Sequence, residues 1–129
     1  MKKEIVNPES VFKPGPTWSQ AVKVGNTVYI AGQVGYDKNG NMVAKGDVVA
    51  QATQAFENMK NVLKSAGGSL ANVVKVTYYI RDIEAYDKVR VEVTPKYFVK
   101  EPPAGTAVIV HSLVKPEILI EIDAIAVIE

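Results

Sequence analysis

Residues 118–128 read Ile118-Leu119-Ile120-Glu121-Ile122-Asp123-Ala124-Ile125-Ala126-Val127-Ile128. Side chains alternate across a β-strand. Ile118, Ile120, Ile122, Ala124 and Ala126 therefore share one face, and Leu119, Glu121, Asp123, Ile125 and Val127 the other. The first face is wholly apolar, and the second is apolar apart from two carboxylates. Residues 73–80 (Val-Val-Lys-Val-Thr-Tyr-Tyr-Ile) are β-branched and aromatic, as strands favour, and carry apolar residues at both parities. A sheet with two apolar faces has to cover both of them.

Two segments have a helical period. Over 47–66, Val48, Ala52, Ala55, Phe56, Met59, Val62, Leu63 and Ala66 recur at spacings of three and four, which gives one apolar face. Asp47 suits an N-cap, and Gly67-Gly68 a stop, because glycine tolerates the left-handed C-cap conformation. Over 83–98, Tyr86, Val89, Val93 and Tyr97 share a face. Pro95 is expected to bend or end that helix near Thr94, since it lacks the amide donor.

Residues 21–34 read as a hairpin turning at Gly25-Asn26, with Val22, Val24, Val28, Ile30 and Val34 at one parity. Lys38-Asn39-Gly40-Asn41 marks a second turn, followed by a short strand over 42–44. A strand over 106–110 connects to the last one through a turn containing Lys115-Pro116-Glu117. Residues 7–17, with Pro8, Pro14 and Pro16, read as an extended arm. This order predicts a single α+β domain over 1–129, a mixed sheet with two helices packed on one face. Two helices cover only that face, so the other predicts association with a further chain.

A chain of 129 residues buries enough surface to fold without staples, and 47% hydrophobic with 22% charged residues is ordinary globular usage. Its net charge of +1, with lysines scattered, argues against a dedicated nucleic-acid binder. The lack of cysteine excludes disulfides, thiol catalysis and cysteine metal sites. No apolar run has the length of a signal core or of a membrane span of ~18 residues, so the cytoplasm is the expected location.

Glu121 and Asp123 are the leading candidates for chemistry. They point the same way among apolar neighbours, and a buried carboxylate is costly unless paired. A raised pKa is also what a general acid or a water-activating base needs. The competing reading is structural: ion pairs with Lys75 or Arg81, across the sheet or across a subunit interface. His111, the only histidine, reads as an exposed strand-end residue and can form no multi-histidine metal site. Gly32, Gly35 and Gly40 form no phosphate loop, because no Gly-Lys-Ser/Thr follows. Trp18, the only tryptophan, suits core or interface packing, or an aromatic cleft wall. Arg90 suits the surface or an anionic ligand. Gly105 is a loop glycine or a point of close backbone approach.

Several stretches together carry a resemblance. They are Gly15-Pro16-Thr17-Trp18-Ser19-Gln20-Ala21-Val22; Val28-Tyr29-Ile30-Ala31-Gly32-Gln33; Gly46-Asp47 leading into Gln51-Ala52-Thr53-Gln54-Ala55-Phe56-Glu57-Asn58; Tyr97-Phe98 followed by Pro102-Pro103-Ala104; and Ile120-Glu121-Ile122-Asp123-Ala124-Ile125-Ala126-Val127. In this order, over essentially the whole chain, they resemble the RidA/YjgF family. The resemblance implies a chorismate-mutase-like (bacillus-type) fold and a homotrimer around a sheet-lined barrel. It also implies a cleft for a small carboxylate metabolite at each subunit interface. The activity it implies is hydrolysis of reactive 2-imino and 2-enamino acids, such as 2-aminoacrylate, to 2-keto acids and ammonia, with no cofactor and no metal.

The family pattern has an arginine after Pro-Ala to hold the substrate carboxylate, and a glutamate on the last strand to handle water. It also has a tyrosine in the Gly-Pro-Tyr-Ser-Gln stretch and a Ser-Gly on the second strand. Here Gly105 stands at the arginine, Asp123 at the glutamate, Trp18 at the tyrosine and Ala31 at the serine; Arg90 falls near a helix asparagine. Glycine cannot replace a planar bidentate clamp. The expected catalytic residues are Asp123 and Glu121. The expected substrate-binding residues are Trp18, Ala31, Gly32, Arg90, Gly105, Thr106 and Ala107. The expected function is a 2-iminobutanoate/2-iminopropanoate deaminase-like hydrolase with weak or altered activity. The alternative is a non-enzymatic trimer binding a small metabolite. A ribonuclease or translation-inhibitor role fits less well, because RNA cleavage needs paired acid–base groups and phosphate-binding cations.

Overall fold

The computed structural model describes residues 1–129. The chain runs β1 (Lys3–Val6), β2 (Ala21–Val24), β3 (Thr27–Gln33), α1 (Val48–Ser65), β4 (Val73–Ile80), α2 (Ile83–Glu92), α3 (Thr94–Tyr97), β5 (Ala104–Ile109) and β6 (Ile120–Val127). The strands form one six-stranded sheet in the order β1-β2-β3-β6-β4-β5. The last strand of the sequence thus lies inside the sheet, antiparallel to β3 and β4. Only β4 and β5 run parallel, and α2 and α3 supply the crossover a parallel pair requires.

The alternation of β6 is realised as read. Ile120, Ile122, Ala124 and Ala126 are buried, while Glu121, Asp123 and Ile125 are half-buried on the other face. α1 covers the buried face with Ala52, Ala55, Phe56, Met59, Val62 and Leu63. The Asp47 carboxylate caps it, accepting from the Ala50 amide at 3.0 Å, and Gly67 at φ +92° lets the chain leave. Phe56 stacks on Tyr97 (4.7 Å, 11°) and meets Phe98 edge-on, which ties α1 to the second helical segment. That segment breaks at Val93, and Pro95 sits in the first turn of α3, where its missing amide costs nothing. Two helices on one face of a mixed sheet is therefore the observed architecture.

Three local expectations are corrected. Lys3–Val6 is a strand, paired with β2. As an edge strand with only Val6 buried it has no alternation to read. Residues 42–44 are not a strand: Met42 makes one isolated bridge to Tyr36. The Asp37 carboxylate there accepts from the amides of Asn39 and Asn41, and Gly40 at φ +81° tightens the loop. Val22 and Val24 do not share a face with Val28 and Ile30. The two-residue turn pairs Lys23 with Val28 and Val22 with Tyr29, so parity changes across it.

The face away from the helices has no cover within the chain. Ile5, Tyr29 and Val127 are exposed on it, and β5 is exposed at all six positions. An apolar edge strand with free backbone groups is a template for pairing with another chain.

Candidate active site

The site begins at an irregularity. The β3–β6 register shifts between Ile30 and Gln33, which leaves Ala31 and Gly32 out of the ladder with β6. The Ala31 amide donates instead to Gln20 O at 2.8 Å. Glu121 of β6 lies directly over Gly32. A Cβ at Gly32 would come within 2.7 Å of Glu121 Cγ and closer still to the carboxyl group. Only glycine leaves room for the acid in this position.

Above Gly32 is a cavity of about 310 Å³ lined by Phe12, Trp18, Ala31, Gly32, Val34, Tyr36, Val114, Ile118 and Glu121. The aromatic walls brace one another: Phe12 meets Tyr36 edge-on at 5.5 Å and Trp18 at 6.3 Å. A buried amide network holds the arm that carries them. Gln20 Nε2 donates to Phe12 O at 2.7 Å, and Gln33 Nε2 donates to Gln20 Oε1 at 2.8 Å and to Ala31 O at 3.0 Å. Gln33 Oε1 and the Tyr36 hydroxyl are buried without a partner. A wider groove of about 840 Å³ runs along the arm past Asn7, Lys13, Pro16 and Lys38, and Trp18 is the partition between the two. That groove is lined mainly by polar residues and prolines and holds no half-buried acid of the Glu121 kind.

The two acids differ in environment. Burial first, and then the charge of Asp123, hold the Glu121 carboxyl above the ordinary glutamate range, and no hydrogen bond offsets them. Asp123 is absent from the cavity wall. It accepts from the Tyr79 hydroxyl at 2.9 Å, which raises the pKa of Tyr79. The structural alternative for these acids does not hold within the chain. Lys75 Nζ donates to Thr106 Oγ1 at 2.8 Å, and Arg81 Nη1 to Pro116 O at 3.0 Å.

The structure thus brings Trp18, Ala31, Gly32 and Glu121 together. It places the other expected residues elsewhere in the chain. Arg90 lies on α2, held by Asp87 at 3.1 Å. Gly105, Thr106 and Ala107 lie on β5, two strands from β6. A Cβ at Gly105 would meet only Val76 Cγ1, at 3.8 Å, so a side chain fits there. His111 is exposed beyond the end of β5. Phe12, Gln20, Gln33 and Tyr36 were not singled out from the sequence. The usable signal was a glutamine just before β2 and another at the end of β3, both beside apolar residues, since a buried amide has to be bonded. No three His, Asp or Glu side chains converge as a metal site would require. A lone carboxylate of raised pKa in an apolar cavity can take a proton from water or return one.

Comparison with known proteins gives a consistent result. The family model described as Endoribonuclease L-PSP matches residues 9–128. A RutC family protein of Pyrococcus abyssi is 43% identical over 98% of each chain. A human 2-iminobutanoate/2-iminopropanoate deaminase is 42% identical over 88% of this chain and 80% of its own. The crystal structure of RidA from an Antarctic Psychrobacter superposes with a TM-score of 0.88 at 39% identity, covering 97% of this chain and 99% of that one.

Proposed function

The chain belongs to the endoribonuclease L-PSP (RidA/YjgF) family, and from that premise we propose that it hydrolyses reactive imines and enamines without a cofactor, with Glu121 activating the water. The observation that carries this reading is the unpaired, half-buried Glu121 carboxylate over Gly32 in an apolar cavity. The human deaminase relative supports the reaction class. In the proposed step the carboxylate takes a proton from water as its oxygen bonds to the imine carbon. Glu121 returns that proton to the nitrogen to give the carbinolamine, then takes the remaining hydroxyl proton and passes it to the nitrogen as well, so that ammonia leaves as the carbonyl forms; an enamine enters this sequence after tautomerising to its imine. Trp18 and Phe12 give the cavity an apolar wall, beside which the electrostatics of the step are stronger than in open water. Asp123, tied to Tyr79, acts through its charge on Glu121 rather than on substrate.

Gly105 supplies no clamp for a substrate carboxylate, so activity on 2-imino acids is weaker than in relatives that carry an arginine there. The test follows decay of 2-aminoacrylate generated from serine by a dehydratase. The expected result is acceleration over the spontaneous rate that depends on Glu121 but falls below that of an arginine-bearing relative. Decay no faster than without the protein contradicts the reading. The ribonuclease reading has less support, because a net charge of +1 and one exposed histidine supply neither phosphate cations nor a paired acid and base.

The uncovered sheet face and the exposed β5 support a homotrimer in which further copies of the chain cover that face. No helix is long and apolar enough to cross a membrane. Light scattering at micromolar concentration is expected to give the mass of three 14.0 kDa chains; a stable monomer would contradict the assembly.

A further inference from the structure

The cavity over Gly32 has one charged wall residue, and its charge is negative. We propose that the cavity selects uncharged ligands, so that its preferred substrate is an imine or enamine with an apolar or aromatic substituent and no carboxylate beside the reacting carbon. This deepens the hydrolase reading and rests on it.

Charge, occupancy and size converge on this class. An anionic ligand held against Glu121 would place like charges together in a half-buried site, where screening is weak. Within the chain no lysine or arginine lines the cavity. Lys75 bonds Thr106, Arg81 bonds Pro116 O, and Arg90 bonds Asp87. Lys115 lies 5.9 Å over the Tyr36 ring and is not on the wall. β5, the strand proposed to lie in the subunit interface, reads Ala-Gly-Thr-Ala-Val-Ile and carries no charged residue. A protonated imine, by contrast, presents a cation to Glu121, and an enamine presents no charge. At roughly 30 Å³ per water-sized group, the six heavy atoms of 2-aminoacrylate fill little more than half of the cavity of about 310 Å³, and its open side leaves a larger substituent room to project. Phe12, Trp18 and Tyr36 offer ring faces and edges to a substituent, in the arrangement aromatic pairs favour.

Trp18 is the only tryptophan and lies on the wall, so its fluorescence reports occupancy in the intact protein. Hydrocinnamamide and hydrocinnamate have one shape and differ by one charge. At neutral pH the amide is expected to bind at least about tenfold more tightly, which is about 1.4 kcal/mol, and Glu121→Gln is expected to remove most of that difference. Equal or tighter binding of the carboxylate, or no Trp18 response to either probe, overturns the proposal. A second arm compares hydrolysis of an isolable uncharged N–H ketimine, that of tert-butyl phenyl ketone, with 2-aminoacrylate. Faster turnover of the ketimine supports the proposal. Faster turnover of 2-aminoacrylate overturns it and leaves the hydrolase reading standing. Turnover of neither overturns the hydrolase reading and the substrate assignment, and the binding arm alone then decides the ligand preference.

Discussion

Glu121→Gln is expected to lower kcat/KM for imine hydrolysis by about 10²–10⁴-fold, the contribution typical of a positioned acid–base group, and to raise stability at neutral pH. Glutamine keeps the shape over Gly32 but cannot accept a proton from water. The stability effect follows from the raised pKa of Glu121. A group whose folded pKa lies above its unfolded value contributes stability that is fully present below the unfolded pKa. That contribution is lost as pH rises through the folded pKa. At neutral pH the wild type therefore carries the cost of an ionised, half-buried acid, and the amide does not. Denaturant midpoints should favour the variant at neutral pH and converge with the wild type in acid. A variant that is inactive and also destabilised at neutral pH would mean that Glu121 serves the fold rather than the reaction. An active variant would remove it from the mechanism.

Gly105→Arg is expected to raise kcat/KM for 2-aminoacrylate by about 10–100-fold, mainly through KM. A bidentate guanidinium–carboxylate contact makes two charge-assisted hydrogen bonds, and hydrogen bonds to charged groups contribute about 1.5–3 kcal/mol. The fold should accept the substitution, because β5 is exposed at this position and the nearest atom to a new Cβ is Val76 Cγ1 at 3.8 Å. The same assay on Gly105→Ala separates charge from bulk: alanine should leave the rate unchanged. No gain with arginine would mean that Gly105 does not approach the cavity of another copy, and that weak activity on 2-imino acids has another cause.

Much of the fold could be read from short-range pattern. The parity of residues 118–127, the cap at Asp47 and the three- and four-residue spacing through Leu63 are local properties, and the chain realises each of them. β1 was missed because an exposed edge strand has no periodicity. The face of Val22 and Val24 was misassigned because a two-residue turn inverts parity, which follows from register and not from spacing.

The site was legible only in part, for a related reason. Trp18, Gly32 and Glu121 could be picked out singly. The walls Phe12, Tyr36, Val114 and Ile118 come from an arm and two loops that only the tertiary fold brings together. Parity could not separate Glu121 from Asp123, and the resemblance set Asp123 at the water-handling position. The register shift at Ala31–Gly32 separates them, since it opens space over Gly32 for Glu121 while Asp123 pairs with Tyr79.

The claim that Glu121 is the working base is tested most directly by the pH dependence of kcat/KM, measured with an imine whose own ionisation is known. Hydrolysis requires ionised Glu121, so the rate should fall as the medium is acidified, with its midpoint above the ordinary glutamate range because burial and Asp123 raise that pKa. Removing the Asp123 charge with Asp123→Asn should move the midpoint down toward the ordinary value while turnover persists. A profile flat through that range, or a midpoint unmoved in Asp123→Asn and still present in Glu121→Gln, would contradict the account.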